Sequence, residues 1–183
     1  MQTKDLFANI DVRLKTFYDL YYTRRSVRQF QDKPIEDTVL DRLIETLRRA
    51  PSAENRQPWH FYIIKDKLRP QFNEVFYKEG FYQAPVIIAA CAVPGKAWVR
   101  AEDKINFAWV DVTIALTDMI NAAAAEGIGS CWIASFNVNR AEELLNLPDN
   151  VELVSLMALG YPDKPLCVEE KNRKTLNEIV TIR

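Results

Sequence analysis

The chain has 183 residues, a formal net charge of −1, 48% hydrophobic and 27% charged residues. These values fit a single ordered domain over residues 1–183 that can bury a core without staples, and they exclude a disordered chain. With charge so nearly balanced, no overall field recruits nucleic acid or an anionic membrane.

In chain order, residues 1–5 lead into no long apolar run, so no secretory leader is expected and a cytoplasmic location follows. Pro34 precedes Val39, Leu40, Leu43, Ile44 and Leu47, spaced as one apolar helix face. Glu36 or Asp37 suits the first turn, and Pro51 should stop this helix near Ala50. Residues 59–65 are aromatic and β-branched and read as a strand; residues 68–77 read as a helix. Residues 85–93 form a strand apolar on both faces. The longest apolar stretch, residues 84–94, is too short for a bilayer, which takes about 20 residues. Residues 105–126 are alanine-rich and predict a long central helix that Gly127 caps. Strands are predicted over 130–136 and 152–160, with a short helix over 140–145. The alternating tail, 179–183, predicts an edge strand. Interleaved helices and strands imply a sheet covered by helices, with strand direction left open.

The chemistry-bearing residues are few. Cys91, Cys131 and Cys167 form no CxxC pair and His60 is the sole histidine, so neither a disulfide framework nor a transition-metal centre is expected. His60 reads as a core or edge residue, and Cys131 as a packing residue without a base. No serine has a histidine in a recognisable catalytic arrangement. The five glycines make no GxGxxG or GxxxxGK[ST] pattern, so any phosphate must be held by side chains.

The best candidate for that task is Arg24, Arg25, Ser26, Val27, Arg28. In an extended chain Arg24, Ser26 and Arg28 point to one side. Two permanently charged guanidinium forks around a hydroxyl suit a phosphate monoester. From spacing alone, a solvated basic turn is the plainer explanation. Lys171, Asn172, Arg173 and Lys174, taken alone, read as a solvated charge run. Pro51 to Trp59, through Ser52, Ala53, Asn55, Gln57 and Pro58, reads as an ordered polar loop of the kind that carries ligand contacts; Ser52 and Asn55 could equally serve only its backbone.

Together these stretches resemble the flavin-dependent nitroreductase family, in order and over nearly the whole chain. Residues 24–30 are similar to its RRSxRxF signature, 51–59 to its PSxxNxQPW loop, 127–133 to its GxGSCWI strand, 159–162 to its LGYP turn, and 171–173 to its late basic pair. The resemblance implies an α+β fold, a three-layer α/β/α sandwich with a mixed, largely antiparallel sheet. It implies a homodimer with flavin mononucleotide (FMN) at the interface, and NADH or NADPH as electron donor. Arg24, Arg25, Ser26 and Arg28 would hold the ribityl chain and phosphate, with Lys171 and Arg173 completing that site. Pro51, Ser52, Ala53 and Asn55 would come from the partner subunit, with Gln57 nearby. Trp132, Ile133, Ala134 and Ser135 would line one face of the isoalloxazine, a backbone N–H at 134 or 135 reaching the N5 region. The C-terminal strand would extend onto the other subunit.

The chain departs from the family pattern in three places. Tyr77 stands near the position of an asparagine that binds the ring edge in longer members, and the nearest asparagine is Asn73. The stretch over 95–106, which shapes the substrate channel in the family, is short. Ala134 and Ser135 replace a Glu-Gly pair. The implied activity is oxidoreduction: a reduced nicotinamide passes hydride to the flavin, and a small electron-poor acceptor, such as a nitroaromatic or quinone, then takes its place in ping-pong order. The absence of a catalytic constellation suits such chemistry, because the cofactor carries the hard step. An FMN store or sensor without turnover is the alternative. A nucleic-acid module using Arg24, Arg25, Arg28, Arg48 and Arg49 is disfavoured by the charge balance.

Overall fold

The computed structural model describes residues 11–165 and 171–183; residues 1–5, read above for a leader, and Cys167 lie outside them. The chain separates into two compact units, Arg25–Pro165, and a second formed by Met1–Arg24 with Leu166–Arg183.

The larger unit is built on β1 (Trp59–Ile64), β2 (Val86–Ala92), β3 (Gly129–Ile133) and β4 (Glu152–Gly160). Their order is β1-β2-β4-β3, and every named pair is antiparallel. An isolated parallel bridge between Ser26 and Ser130 makes the pairing mixed. Strand β2 is buried along its whole length, which is why its sequence is apolar at every position rather than at alternate ones.

Helices cover both faces. On one side lie α2 (Asp37–Arg49), which buries Val39, Leu40, Leu43 and Leu47, and α3 (Ala108–Ala125), which buries Val112, Ala115, Leu116 and Met119. They pack on Val86, Ile88, Ala90 and Ala92 of β2 and on Met157 and Leu159 of β4. On the other side, a 3-10 segment, Asp66–Val75, and α4 (Val138–Leu145) bring Phe72, Val75 and Ala141 onto Ile87, Ala89, Leu156 and Ala158. The result is the three-layer sandwich. Each such fully buried Leu, Ile, Val, Met or Phe side chain contributes roughly 1.5–3 kcal/mol.

Several boundaries differ from the sequence reading. Residues 66–75 wind as a 3-10 segment, with Pro70 inside it, a residue that lacks the N–H of an α-helical ladder. Helix α3 begins at Ala108 because Asn106 turns its side chain back to accept the Ala108 N–H at 2.9 Å. Strand β3 ends at Ile133, and Phe136 makes only an isolated bridge to Phe76.

The smaller unit contains α1 (Val12–Thr23), whose N-cap Asp11 accepts the Arg13 N–H at 2.9 Å. No side chain of α1 is buried, and Phe17 and Tyr21 stack edge-on at 5.3 Å with about half their surface exposed. The tail is not the expected strand. Leu176–Ile179 forms a helical turn, α5, opened by a reciprocal box between Thr175 and Glu178. That local capping overrides the alternation, which needs a neighbouring strand to become a ladder.

A buried cation ties the second face of the larger unit together. Arg69 is 5% exposed and donates from Nε to the Ala84 carbonyl at 2.6 Å, from Nη1 to Asn73 Oδ1 at 2.9 Å, and from Nη2 to the Phe81 carbonyl. Burial lowers its pKa to about 10. Arg69→Met keeps most of the stem but leaves those carbonyls without a donor, so we expect a loss of about 2–4 kcal/mol, read as a lower urea midpoint.

Candidate cofactor site

The stretch after α1 runs extended along the free edge of β3. Val27 N–H donates to the Ser130 carbonyl at 2.9 Å, and Ser26 forms the parallel bridge to Ser130. Val27 and Phe30 turn into the core, while Ser26 and Arg28 are exposed. The predicted alternation is therefore present over these residues. Arg28 Nη1 makes one long bond, 3.3 Å, to the Ser26 carbonyl, and no stronger bond to Arg28 is found among the described residues. Its fork is not spent on a carboxylate among the described residues.

Two glycines set this geometry. A Cβ on Gly129 would lie 2.8 Å from Val27 Cγ2, so only glycine lets the edge segment approach β3 this closely. A Cβ on Gly80 would lie 2.4 Å from the Arg28 carbonyl oxygen, so Gly80 fixes the height of the Arg28 backbone. Neither belongs to a glycine-rich motif, and the residue pattern alone does not reveal their role.

Beside this segment, β3 runs out into Ala134 and Ser135, both exposed. Trp132 is half-buried against the α2–α3 core and Ile133 is 4% exposed. The surface at this edge is therefore backbone and the small side chains at 134–135, with the Ile133 side chain turned inward. Cys131 lies just behind. Burial raises its thiol pKa, with Arg28 and Lys78 pulling the other way. The thiol of Cys91 is pushed up to about 12, mainly by burial. Neither is an available nucleophile at neutral pH.

The loop at 51–57 is highly ordered by its own groups. Ser52 Oγ accepts the Gln57 N–H at 2.9 Å, and Asn55 Oδ1 accepts from Gln57 Nε2 at 3.2 Å. Glu54, Asn55 and Gln57 take φ of 50°, 53° and 48°. Left-handed backbone costs on the order of 1–2 kcal/mol per residue bearing a Cβ, less for asparagine. The outside anchor is Asp111 of α3, 1% exposed, whose Oδ1 accepts the Ala53 N–H at 3.0 Å. Sequence reasoning missed Asp111. An acidic residue on an alanine-rich helix face was the available signal.

The predicted residues fall into separate groups. Arg25, Ser26 and Arg28 share the β3 edge with the 132–135 stretch. Pro51, Ser52, Ala53, Asn55 and Gln57 lie before β1, the opposite edge strand. Three strand spacings, about 14 Å, separate β1 from β3. In the smaller unit, Arg24 N–H donates to the Leu20 carbonyl and Lys171 Nζ to the Tyr21 carbonyl, so both basic residues gather at the end of α1. Arg173 bonds the neighbouring Asn172 carbonyl at 2.8 Å. Asn73 Oδ1 accepts from Arg69, whereas Tyr77 is 68% exposed, so of the two it is Tyr77 that is available to a ligand.

Other candidates recede. Arg48 and Arg49 both bind Glu45, holding its pKa near 2, chiefly through the Arg48 hydrogen bond, so they are not spare cations for a polyanion. His60 is exposed on edge strand β1 and packs edge-on against Tyr62 at 4.7 Å. Among the described residues, no group of three or more His, Cys, Asp or Glu is placed to hold a metal.

The profile of the nitroreductase family matches residues 21–80 and 73–161. A relative from Archaeoglobus fulgidus with a provisional NADH dehydrogenase/NAD(P)H nitroreductase name is 32% identical over 150 residues, covering 78% of this chain and 83% of its own. Iodotyrosine deiodinases also match; that of Thermotoga neapolitana is 27% identical over 91% of this chain and 97% of its own. Among solved structures, a nitroreductase family protein from Clostridium difficile superposes with a TM-score of 0.82 at 31% identity, covering 89% of this chain and 95% of that one. A structure from Desulfovibrio desulfuricans, provisionally a nitroreductase and in complex with FMN, has the same fold at a TM-score of 0.74 and 23% identity, over 91% and 96% of the two chains.

Gly80→Ala drives a Cβ onto the Arg28 carbonyl, and the segment must shift. We expect a loss of about 1–3 kcal/mol, measured as a lowered Tm.

Proposed function

The chain belongs to the nitroreductase family, and on that footing we propose that it is a homodimeric, FMN-dependent NAD(P)H oxidoreductase that reduces small electron-poor acceptors such as nitroaromatics or quinones. The observation that carries this reading is the Arg28 fork. It is exposed beside Ser26, engaged by one long hydrogen bond, and held at fixed height by Gly80 and Gly129 next to the open end of β3. An uncommitted guanidinium with a hydroxyl neighbour, beside exposed backbone at 134–135, fits a phosphate-bearing planar cofactor.

Within this reading Ser26 and Arg28 bind the phosphate and ribityl end, with Arg25 beside them. Arg24, Lys171 and Arg173 belong to the smaller unit. Backbone at Ala134 and Ser135 orients the ring. When bound, FMN supplies two-electron chemistry, taking hydride from NADH or NADPH and delivering electrons to the acceptor. The protein's own part is positioning and charge, in keeping with the lack of an acid–base constellation.

Dimerisation is supported by the placement of the 51–57 loop. It sits at the β1 edge of the sheet, away from Ser26 and Arg28, and its ties run to itself and to α3. A site using both is most simply built with the loop coming from a second copy. No helix among the described residues is long and apolar enough to cross a membrane; a cytoplasmic location is part of the same proposal.

A second acceptor class has a specific basis. Similarity to iodotyrosine deiodinases runs over about nine tenths of this chain, so reductive removal of iodide from an iodophenol is the reaction to assay beside nitro and quinone reduction.

The test is the visible spectrum of the purified protein with FMN, followed by anaerobic addition of NADH or NADPH. We expect a bound-flavin spectrum that bleaches. Bound flavin that does not bleach favours a storage or sensing role, and no binding overturns the reading. We expect Arg28→Ala to weaken FMN binding at least about tenfold, roughly 1.4 kcal/mol, measured by fluorescence titration; undiminished affinity removes Arg28 from the site.

A further inference from the structure

Asp111 is the one buried carboxyl group among the described residues whose second oxygen has no partner. The side chain is 1% exposed, Oδ1 accepts the Ala53 N–H at 3.0 Å, and Oδ2 is sealed from solvent without a hydrogen bond. It stands in the first turn of α3 among Ala108, Val112 and Ala115, all fully buried. The first turn of a helix favours an acidic side chain, but here full burial works against it. An apolar residue of similar volume would suit the core better, since a buried acceptor without a donor opposes folding.

The compensating role lies across the bond. Ala53 sits in the loop whose residues 54, 55 and 57 are in left-handed backbone. Internal bonds from Ser52 and Asn55 shape that loop, but only the Ala53–Asp111 bond ties its polar groups to a rigid helix. Strained backbone persists where surrounding structure over-determines it, and a buried acceptor on a long helix is such a determinant.

We propose that Asp111 is a positioning residue: it presets the 51–57 loop in its ligand-ready conformation at the expense of the core's stability. The loop's ligand is the flavin of the neighbouring subunit, so this inference rests on the function proposed above. Asp111 acts through the Ala53 amide and, being sealed from solvent, does not itself touch the ligand.

The two effects run in opposite directions, which separates positioning from ordinary structural support. Asp111→Leu removes both the acceptor and the orphaned oxygen. The apoprotein should melt at the same temperature or higher, the Ala53 amide should exchange with deuterium at least tenfold faster, and FMN should bind at least tenfold more weakly. Asp111→Asn keeps an oxygen for the Ala53 N–H, so exchange and FMN affinity should return to within about threefold of wild type. A lower Tm in Asp111→Leu with unchanged FMN affinity and unchanged Ala53 exchange overturns the inference. So does failure of Asp111→Asn to restore the loop. Should wild type itself bind no FMN, the functional reading fails, and amide exchange and melting still decide whether Asp111 holds the loop.

Discussion

The close approach of Val27 to Gly129 is the constraint on which the candidate site depends. One extra carbon on Gly129 would fall within 2.8 Å of the valine side chain, so the edge segment could not lie against β3. With that approach, the Val27 N–H reaches the Ser130 carbonyl, Val27 fills the core, and period-two geometry sends Ser26 and Arg28 outward. Gly80 limits the same segment from the other side, at the Arg28 carbonyl. An exposed arginine is ordinarily a mobile group. Here its backbone is clamped between two close contacts, and only the long side chain retains freedom. A ligand held there would have to order that side chain but not the backbone beneath it.

The sheet determines what one chain can and cannot assemble. The two edge strands carry the two kinds of contact, basic edge and polar loop, and the apolar strands β2 and β4 lie between them. Those inner strands bury residues on both faces, and the hydroxyl of Ser155 in β4 is buried among them without a partner. The architecture that stabilises the fold therefore also keeps the basic edge and the polar loop apart. On the function proposed above, a second copy would bring the two together.

Much of this was legible in the sequence, and the illegible part has physical causes. Helix α2 was readable because Val39, Leu40, Leu43 and Leu47 keep a strict apolar period and Pro51 follows. Strand β4 was readable because its apolar run has no charged residue after Glu152. The 3-10 segment was not, since its buried positions, Arg69, Phe72 and Val75, fit an α-helix nearly as well. The tail misled because alternation signals a strand only where a partner strand exists, and Thr175 and Glu178 satisfied the backbone locally instead. The basic cluster was ambiguous from spacing, and neighbours remote in sequence, Gly80 and Gly129, give it a defined conformation. Asp111 stood out only as an acidic residue on an alanine-rich helix face, and its role stayed hidden because its partner, Ala53, lies 58 residues away.

The suppressed thiols bear on durability. Cys91 and Cys131 are both free, both buried, and both held in the protonated form by the apolar layer around β2 and β3. Peroxide attacks thiolates far faster than thiols, and the first product, a sulfenic acid, leads on to irreversible damage. The core packing of these two residues thus doubles as chemical insulation, letting sulfur fill space as the thiol rather than as the readily oxidised thiolate.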